Sequence, residues 1–410
     1  MNNKDSICVY PWTHFASHLD GEMIICCNTY KKGTIFRDDG VPWNINNITN
    51  IQDYFNSEQF NQIRLEMLRG EKPNICKSCY DIEKNGGTSV RQNSQVLVNN
   101  IDNLINNTDK VTGKLYETGL RSVHLMWGNK CNLKCKMCHP SSSNQLIDEF
   151  IKMNSISTDN NYEELNLQWD FKKNEQILKE LSPYIRDLNV TGGEPLINND
   201  YISYCQYLID NGYSKDIVLS FHTNLTIVPK KFLSIWKEFK YVVVKISIDA
   251  VKDDYEYIRY PGKWSVVSKN IKEILDISIE LENLSVEVHT VFSSFNVHAI
   301  PKLIEYFADF SYKKFINFPN FIPVTFPLYA DSQCIPNYYK KIIEEDLLKS
   351  IDNFPLKNNQ IQKNISTLRS NIIRMNEQDL NTLLFYNFNE KQDNFRTIKT
   401  KDIIPWVKQN

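Results

Sequence analysis

Three cysteines spaced C-x₃-C-x₂-C stand in the run Trp127-Gly-Asn-Lys-Cys131-Asn-Leu-Lys-Cys135-Lys-Met-Cys138. Thiolates are soft ligands, and clustered cysteines suit zinc or iron–sulfur centres. Such centres take four ligands, and this loop supplies three. A four-iron cluster held here keeps one corner open to a non-protein ligand, and an open metal position marks a reactive site rather than a structural one. A closed zinc site needs a fourth protein ligand. His139 is next to Cys138, but adjacent positions seldom point at one metal.

A second group lies in the first 80 residues: Cys8, Cys26, Cys27, Cys76 and Cys79. Asp20-Gly21 between apolar runs signals a hairpin, and Phe60–Leu68 has the pattern of an amphipathic helix. Cys8, Cys76, Cys79 and one of Cys26 or Cys27 make four ligands. Neighbouring residues of a strand point to opposite faces, so only one of that pair can ligate easily, and Cys26 is favoured over Cys27. A four-cysteine zinc knuckle has the same spacing. Cys205 falls on the apolar face of a helix and reads as core. Cys334 sits in a loop, Tyr329-Ala-Asp-Ser-Gln-Cys334-Ile-Pro336.

The elements that must position the three-cysteine loop alternate in type. Apolar, β-rich segments occur at 122–127, 187–191, 217–222, 242–248, 285–292 and 316–324. Helical spacing occurs at 146–153, 175–181, 201–210, 231–239, 266–281 and 300–307. This alternation predicts an α/β fold with a parallel sheet covered by helices, a partial (β/α)₆ TIM-like barrel. Active sites of such barrels gather at the C-terminal ends of the strands, and the cysteine loop follows the first of them. The second strand ends in Thr191-Gly192-Gly193-Glu194. Paired glycines let backbone approach a ligand closely, and Glu194 suits an amino group.

The domain expectation is therefore a cysteine-rich domain at 1–91, a polar linker at 92–119, the barrel at 120–325 and a helical C-terminal extension at 326–410. The extension is expected to pack across the open barrel and shape a substrate pocket. Over the 410 residues, 41% are hydrophobic and 23% charged, with a net charge of −2, as in ordinary soluble proteins. That balance gives no general attraction to nucleic acid or anionic membrane. No apolar run reaches the length of a membrane span, and the polar start is no signal peptide, so a cytoplasmic location is expected. Ten cysteines in such a chain read as metal ligands or catalytic groups rather than disulfides.

On Cys131, Cys135, Cys138 and Gly192-Gly193-Glu194, residues 120–325 resemble the radical S-adenosylmethionine (radical SAM) enzymes. The resemblance implies a [4Fe–4S] cluster on the three cysteines, whose open iron chelates S-adenosylmethionine. The Gly-Gly-Glu turn then binds the methionine amino group. An electron splits the cofactor into methionine and a 5′-deoxyadenosyl radical that abstracts hydrogen from substrate. Ser220, His222, Asn224, Ser247 and Asp249, at strand ends, are similar to the family's ribose and carboxylate contacts. Arg259 resembles its carboxylate-binding arginine, and Thr290 and Val291 are implied along the adenine.

The N-terminal cysteines resemble the twitch and SPASM domains, which usually follow the barrel and here precede it. They imply a second, auxiliary iron–sulfur cluster. The implied electron source is a flavodoxin or ferredoxin-type reductant. Cys334 is a candidate hydrogen donor to a substrate radical, with Tyr80 and Tyr329 as alternatives. Peptide maturation is the leading expectation for the reaction. Epimerisation or dehydrogenation of a small metabolite, such as a sugar or nucleoside, is the alternative. A non-catalytic iron–sulfur or zinc protein is the reading from another class.

Overall fold

The computed structural model describes all residues except 1–2, 30–32, 85, 156–166, 168–171, 229, 356–357 and 408–410. Among the described residues the strands are β1 (His14–Ser17), β2 (Met23–Ile24), β3 (Ser122–Met126), β4 (Asp187–Thr191), β5 (Val218–Thr223), β6 (Tyr241–Ser247), β7 (Leu284–Phe292) and β8 (Phe315–Pro323). The last six correspond within a residue or two to the apolar segments of the sequence. The chain divides into two compact units.

The first unit comprises Met1–Gly128, Gln168–Phe221 and Glu238–Val242. Its strands lie in the order β2-β1-β3-β4-β5. β1 and β2 pair antiparallel through the expected hairpin, while β1–β3, β3–β4 and β4–β5 pair in parallel. The sheet is therefore mixed. Its period-2 alternation separates an apolar face (Val123, Leu125, Leu188, Val190) from a polar one. On the polar face Ser122 Oγ lies 2.9 Å from His14 Nδ1 and donates to Asp187 Oδ2 at 2.9 Å. His124 Nε2 meets Thr191 Oγ1 at 2.9 Å one register step further on.

Sequence patterning gave the hairpin of β1 and β2 but not the parallel pairing of β1 with β3, because a strand of four residues carries no signal for a distant partner. The polar stretch after residue 91 is also more ordered than a linker. It forms the helix Ile101–Asn106 and a bridge between Thr108 and Leu115. Its few apolar side chains misled the pattern, since local order here comes from side chain-to-backbone bonds such as Asn100 Oδ1 accepting from Asp102 N at 2.8 Å. Buried Arg64 ties it down further, donating to the carbonyls of Gly113 (2.7 Å), Pro11 (2.8 Å) and Phe55 (2.7 Å).

The second unit comprises Asn129–Leu167, His222–Lys237 and Val243–Asn410. Here the order is β6-β7-β8, with β7 and β8 parallel. Val244 and Ile246 of β6 and Val286 and Val288 of β7 are buried, while Lys245, Ser247, Glu287, His289 and Val291 are half-buried between them. The C-terminal extension forms the helices Asn337–Asp352, Asn359–Glu377 and Leu383–Gln392. Asn364 and Asn371, two turns apart on one helix face, donate to the carbonyls of Phe318 (2.8 Å) and Phe321 (3.1 Å) in β8. The extension thus packs along the last strand, giving partners to backbone groups that an edge leaves open. No described ladder closes the sheet into a barrel. Among the described residues no helix is long and apolar enough to cross a membrane.

Candidate iron–sulfur and cofactor sites

In the second unit, the three-cysteine loop is pinned by its backbone. Lys134 N donates to Tyr260 O at 2.6 Å and Lys136 N to Ile258 O at 2.8 Å, so the residues on either side of Cys135 are both fixed. Ser143 Oγ holds Leu133 O at 2.6 Å, and Asn144 Oδ1 accepts from Cys131 N at 3.2 Å. Two N–H groups already address a sulfur of this loop: Leu133 N lies 3.5 Å and Asn224 Nδ2 3.9 Å from Cys131 Sγ. Cys135 is buried, and Cys131 and Cys138 are half-buried. A hydrogen bond with the Cys138 thiol favours thiolate on Cys135 and burial opposes it, while the Arg259 charge is countered by Asp249 and Arg396 adds to the preference for thiolate.

Around this loop lie charged groups in pairs. Arg259 bonds Asp249 at 2.7 Å, Lys136 bonds Asp393 at 3.2 Å, and Arg396 bonds Glu149 at 2.8 Å. Burial lowers the Lys136 ammonium to about 8, although Asp393 resists the change and the Tyr257 ring lies 4.7 Å beneath it. The donor set fits an iron–sulfur cluster. Three thiols share one loop, N–H groups point at sulfur, and buried Arg396 Nε, Arg396 Nη1 and Tyr329 O–H lack a protein partner. Among the described residues no three His, Cys, Asp or Glu side chains are gathered as a single-ion site.

In the first unit, the Gly-Gly-Glu turn follows β4. Gly192 has φ +126°, and a Cβ there would stand 2.7 Å from Gly128 O and 2.8 Å from Trp127 N. Only glycine fits both the dihedral and the space. Gly193 N donates to Gly128 O at 2.9 Å, locking the turn against the chain that leaves β3. Glu194 is buried and caps the short turn Pro195–Ile197, its Oε1 accepting from Leu196 N at 3.1 Å. Ser220 Oγ donates to Asn189 Oδ1 at 2.9 Å.

The N-terminal cysteines of the same unit also converge. Cys8, Cys26, Cys76 and Cys79 line one small, largely enclosed cavity, whereas Cys27 is exposed. Burial pushes the Cys8 thiol up to about 12 and raises the Cys26 and Cys76 thiols as well, and their mutual repulsion adds to it. Four cysteines around so small a space suit a multi-iron cluster, whose binding would take their protons. Asn28 Nδ2 lies 3.2 Å from Cys79 Sγ. Arg91 is held by Glu83 (2.6 Å) and by Ile7 O (3.0 Å), and its charge favours thiolate on Cys8.

Residues 125–307 match the model of the radical SAM superfamily. Residues 8–80 match that of the SPASM iron–sulfur cluster-binding domain. The chain carries a radical SAM catalytic domain. Its relatives include a probable GTP 3′,8-cyclase of Methanococcus maripaludis S2, 25% identical over 240 residues, which are 58% of this chain and 70% of that protein. The GTP 3′,8-cyclase of Sulfurovum sp. is 27% identical over 192 residues, covering 46% of this chain and 52% of its own. Most such relatives are thus spanned for only about half their length. Among solved structures, anSMEcpe with bound AdoMet and Cp18Cys peptide aligns at 18% identity and TM-score 0.35, covering 56% of this chain and 58% of that one.

A radical SAM domain preceded by a SPASM domain accounts for both cysteine groups and for the order of the two. Five of the residues expected at the cofactor or the substrate, Arg259, Asp249, Thr290, Cys334 and Asn224, already have protein partners. Arg259 and Asp249 spend their charges on each other, and Asp249 Oδ1 also accepts from Val291 N at 3.0 Å. Thr290 is buried, giving its hydroxyl to Ile248 O at 2.7 Å, and so serves its strand. Cys334 is no loop residue open to a radical: it is fully buried, and its thiol donates to Leu328 O at 3.1 Å. Asn224 lies against the cluster loop, with Nδ2 2.8 Å from Asn132 Oδ1. Ser247 and Val291 remain on the half-buried strand face. Sequence reading passed over Lys136 and Arg396. A lysine between two candidate ligand cysteines was a visible signal; nothing local marked Arg396.

Proposed function

We propose that this chain uses a [4Fe–4S] cluster on Cys131, Cys135 and Cys138 with S-adenosylmethionine to take hydrogen from a carbon of a small polar metabolite, of the sugar or nucleoside class. The observation that carries this choice of substrate is the similarity to GTP 3′,8-cyclases, whose names specify a nucleotide. It favours a small metabolite over the peptide that the SPASM resemblance implied. When bound, the cluster and S-adenosylmethionine supply the radical that abstracts hydrogen. The Gly192-Gly193-Glu194 turn is the candidate holder of the methionine amino group. A further SPASM cluster is assigned to Cys8, Cys26, Cys76 and Cys79.

The groups available to a polar substrate lie on the strand face of the second unit. His222 Nε2 lies 3.2 Å from His289 Nδ1, and His289 Nε2 lies 3.3 Å from Glu287 Oε2. Burial raises the Glu287 carboxyl, but the His289 hydrogen bond and the Lys245 charge together outweigh it and keep the group ionised. This Glu287–His289–His222 chain can orient hydroxyls and carry a proton to or from one of them. Such a row of ionisable groups suits a hydroxylated molecule and wastes itself on an apolar side chain.

The test is anaerobic reconstitution, reduction by dithionite, and turnover with nucleotides and sugars deuterated at ring carbons. Deuterium in 5′-deoxyadenosine from one of them is the expected result. Deuterium transfer from peptides alone would overturn the substrate class, and intact S-adenosylmethionine under every condition would overturn the enzyme reading.

A further inference from the structure

The C-terminal extension reaches the loop of Cys131, Cys135 and Cys138 from several sides. Lys136, wholly buried, sends Nζ to Asn389 Oδ1 (3.1 Å) and Asp393 Oδ1 (3.2 Å). Glu149 bridges two cations, Arg396 at 2.8 Å and Lys134 at 3.3 Å, which sets the Arg396 guanidinium beside the residue preceding Cys135. That guanidinium also lies 4.6 Å over the ring of Tyr260, whose carbonyl holds Lys134 N. Tyr329 stacks on Phe388 with ring centroids 3.5 Å apart. Phe388 touches Phe150, and Phe150 touches His139, the neighbour of Cys138.

These two side chains share an anomaly. Arg396 Nε and Nη1 and the Tyr329 hydroxyl are buried donors with no acceptor in the protein. Leaving a buried donor unmade costs about 1–3 kcal/mol, and more on a charged group. Neither residue belongs to the three-cysteine motif or to the Gly-Gly-Glu turn. Both are electrostatically coupled to a ligand, Arg396 to Cys135 and Tyr329 to Cys138.

We propose that Arg396 and Tyr329 are positioning residues for the cluster, donating N–H and O–H bonds to its thiolate or sulfide sulfurs and raising its reduction potential. Reduction adds negative charge to the sulfurs, and donors and a cation beside them stabilise the reduced form more than the oxidised one. Arg259 and Lys136 cannot take this role, because Asp249 and Asp393 neutralise them. Lys134 shares Glu149 with Arg396, so one positive charge is left over beside Cys135. The extension thereby acts on the electron that starts the reaction, while remaining outside the ligand set.

This inference rests on the cluster reading of the loop, and the experiment separates the two. Tyr329→Phe keeps the ring stack and removes only the hydroxyl; Arg396→Lys keeps the charge and removes the fork of donors. The loaded proteins are titrated potentiometrically by electron paramagnetic resonance, following the signal that changes on adding S-adenosylmethionine. Each variant is expected to retain its iron and to be about tenfold harder to reduce, which for one electron is a fall of about 59 mV. Retained iron with less than a twofold change in both variants would overturn the proposal. A Cys76→Ser/Cys79→Ser protein that binds no iron at all would instead overturn the cluster reading beneath it.

Discussion

Arg259 Nε stands 2.7 Å from Asp249 Oδ2, and both side chains are buried. The pair joins the end of β6 to the segment whose carbonyls, Ile258 and Tyr260, hold the residues flanking Cys135. Removing one partner of a buried pair strands the other charge, which typically costs about 3–5 kcal/mol. Asp249→Asn is therefore expected to lower unfolding stability by roughly that amount, measured by denaturant titration of the cluster-loaded protein. A loss under 1 kcal/mol would show that water reaches Arg259 and that the pair is dispensable.

Changing Cys131, Cys135 and Cys138 together to Ala is expected to abolish cleavage of S-adenosylmethionine while leaving iron at the N-terminal cysteines. Iron analysis and 5′-deoxyadenosine assay read the two sites separately. Cleavage by the triple variant would relocate the reactive cluster.

Gly192→Ala adds a Cβ at φ +126°, 2.7 Å from Gly128 O. The strained dihedral alone costs on the order of 1–3 kcal/mol, and the backbone contact forces the turn outward. The expected outcome is at least tenfold weaker S-adenosylmethionine binding with the iron content unchanged. Wild-type affinity in equilibrium dialysis would remove the turn from the cofactor site.

His14 is buried on the sheet, stacked on Tyr10 with ring centroids 4.0 Å apart. Burial above all, with His124 adding to it, lowers its pKa from 6.5 to about 3. The unfolded chain therefore binds a proton that the folded one refuses between those values, and stability falls as pH drops below about 6.5. Between pH 7.5 and 5.5 this single group removes about 1.4 kcal/mol. His14→Asn should flatten the pH dependence of unfolding by that amount. Parallel wild-type and variant curves would place the proton elsewhere.

Cys334 sits in the core with its thiol on a carbonyl, where burial pushes its pKa up to about 12. Cys334→Ala should cost roughly 1–2 kcal/mol of stability through lost packing and leave the product unchanged. A changed product, or deuterium incorporation from solvent lost in the variant, would restore it as a hydrogen donor.

The sequence was most legible where chemistry is carried by residue type and short spacing. C-x₃-C-x₂-C, the Gly-Gly-Glu turn and the six apolar strands could be read because ligand sets, tight turns and strand periodicity are local patterns. The pairing of β1 with β3 and the ordered segment after residue 91 were not, since the first joins strands far apart in sequence and the second is held by Arg64, 49 residues away from Gly113.

The sequence by itself determined the two cysteine groups, the order of the strands along the chain and the radical SAM motif they carry. Only the tertiary structure decided that Cys8, Cys26, Cys76 and Cys79 line one cavity, that Arg259 and Asp249 satisfy each other, and that Arg396 comes back to Cys135 from some 260 residues away. The reason is physical. A ligand spacing survives in one dimension, whereas the pairing of buried charges and the aim of buried donors depend on which distant groups share a space closed to water.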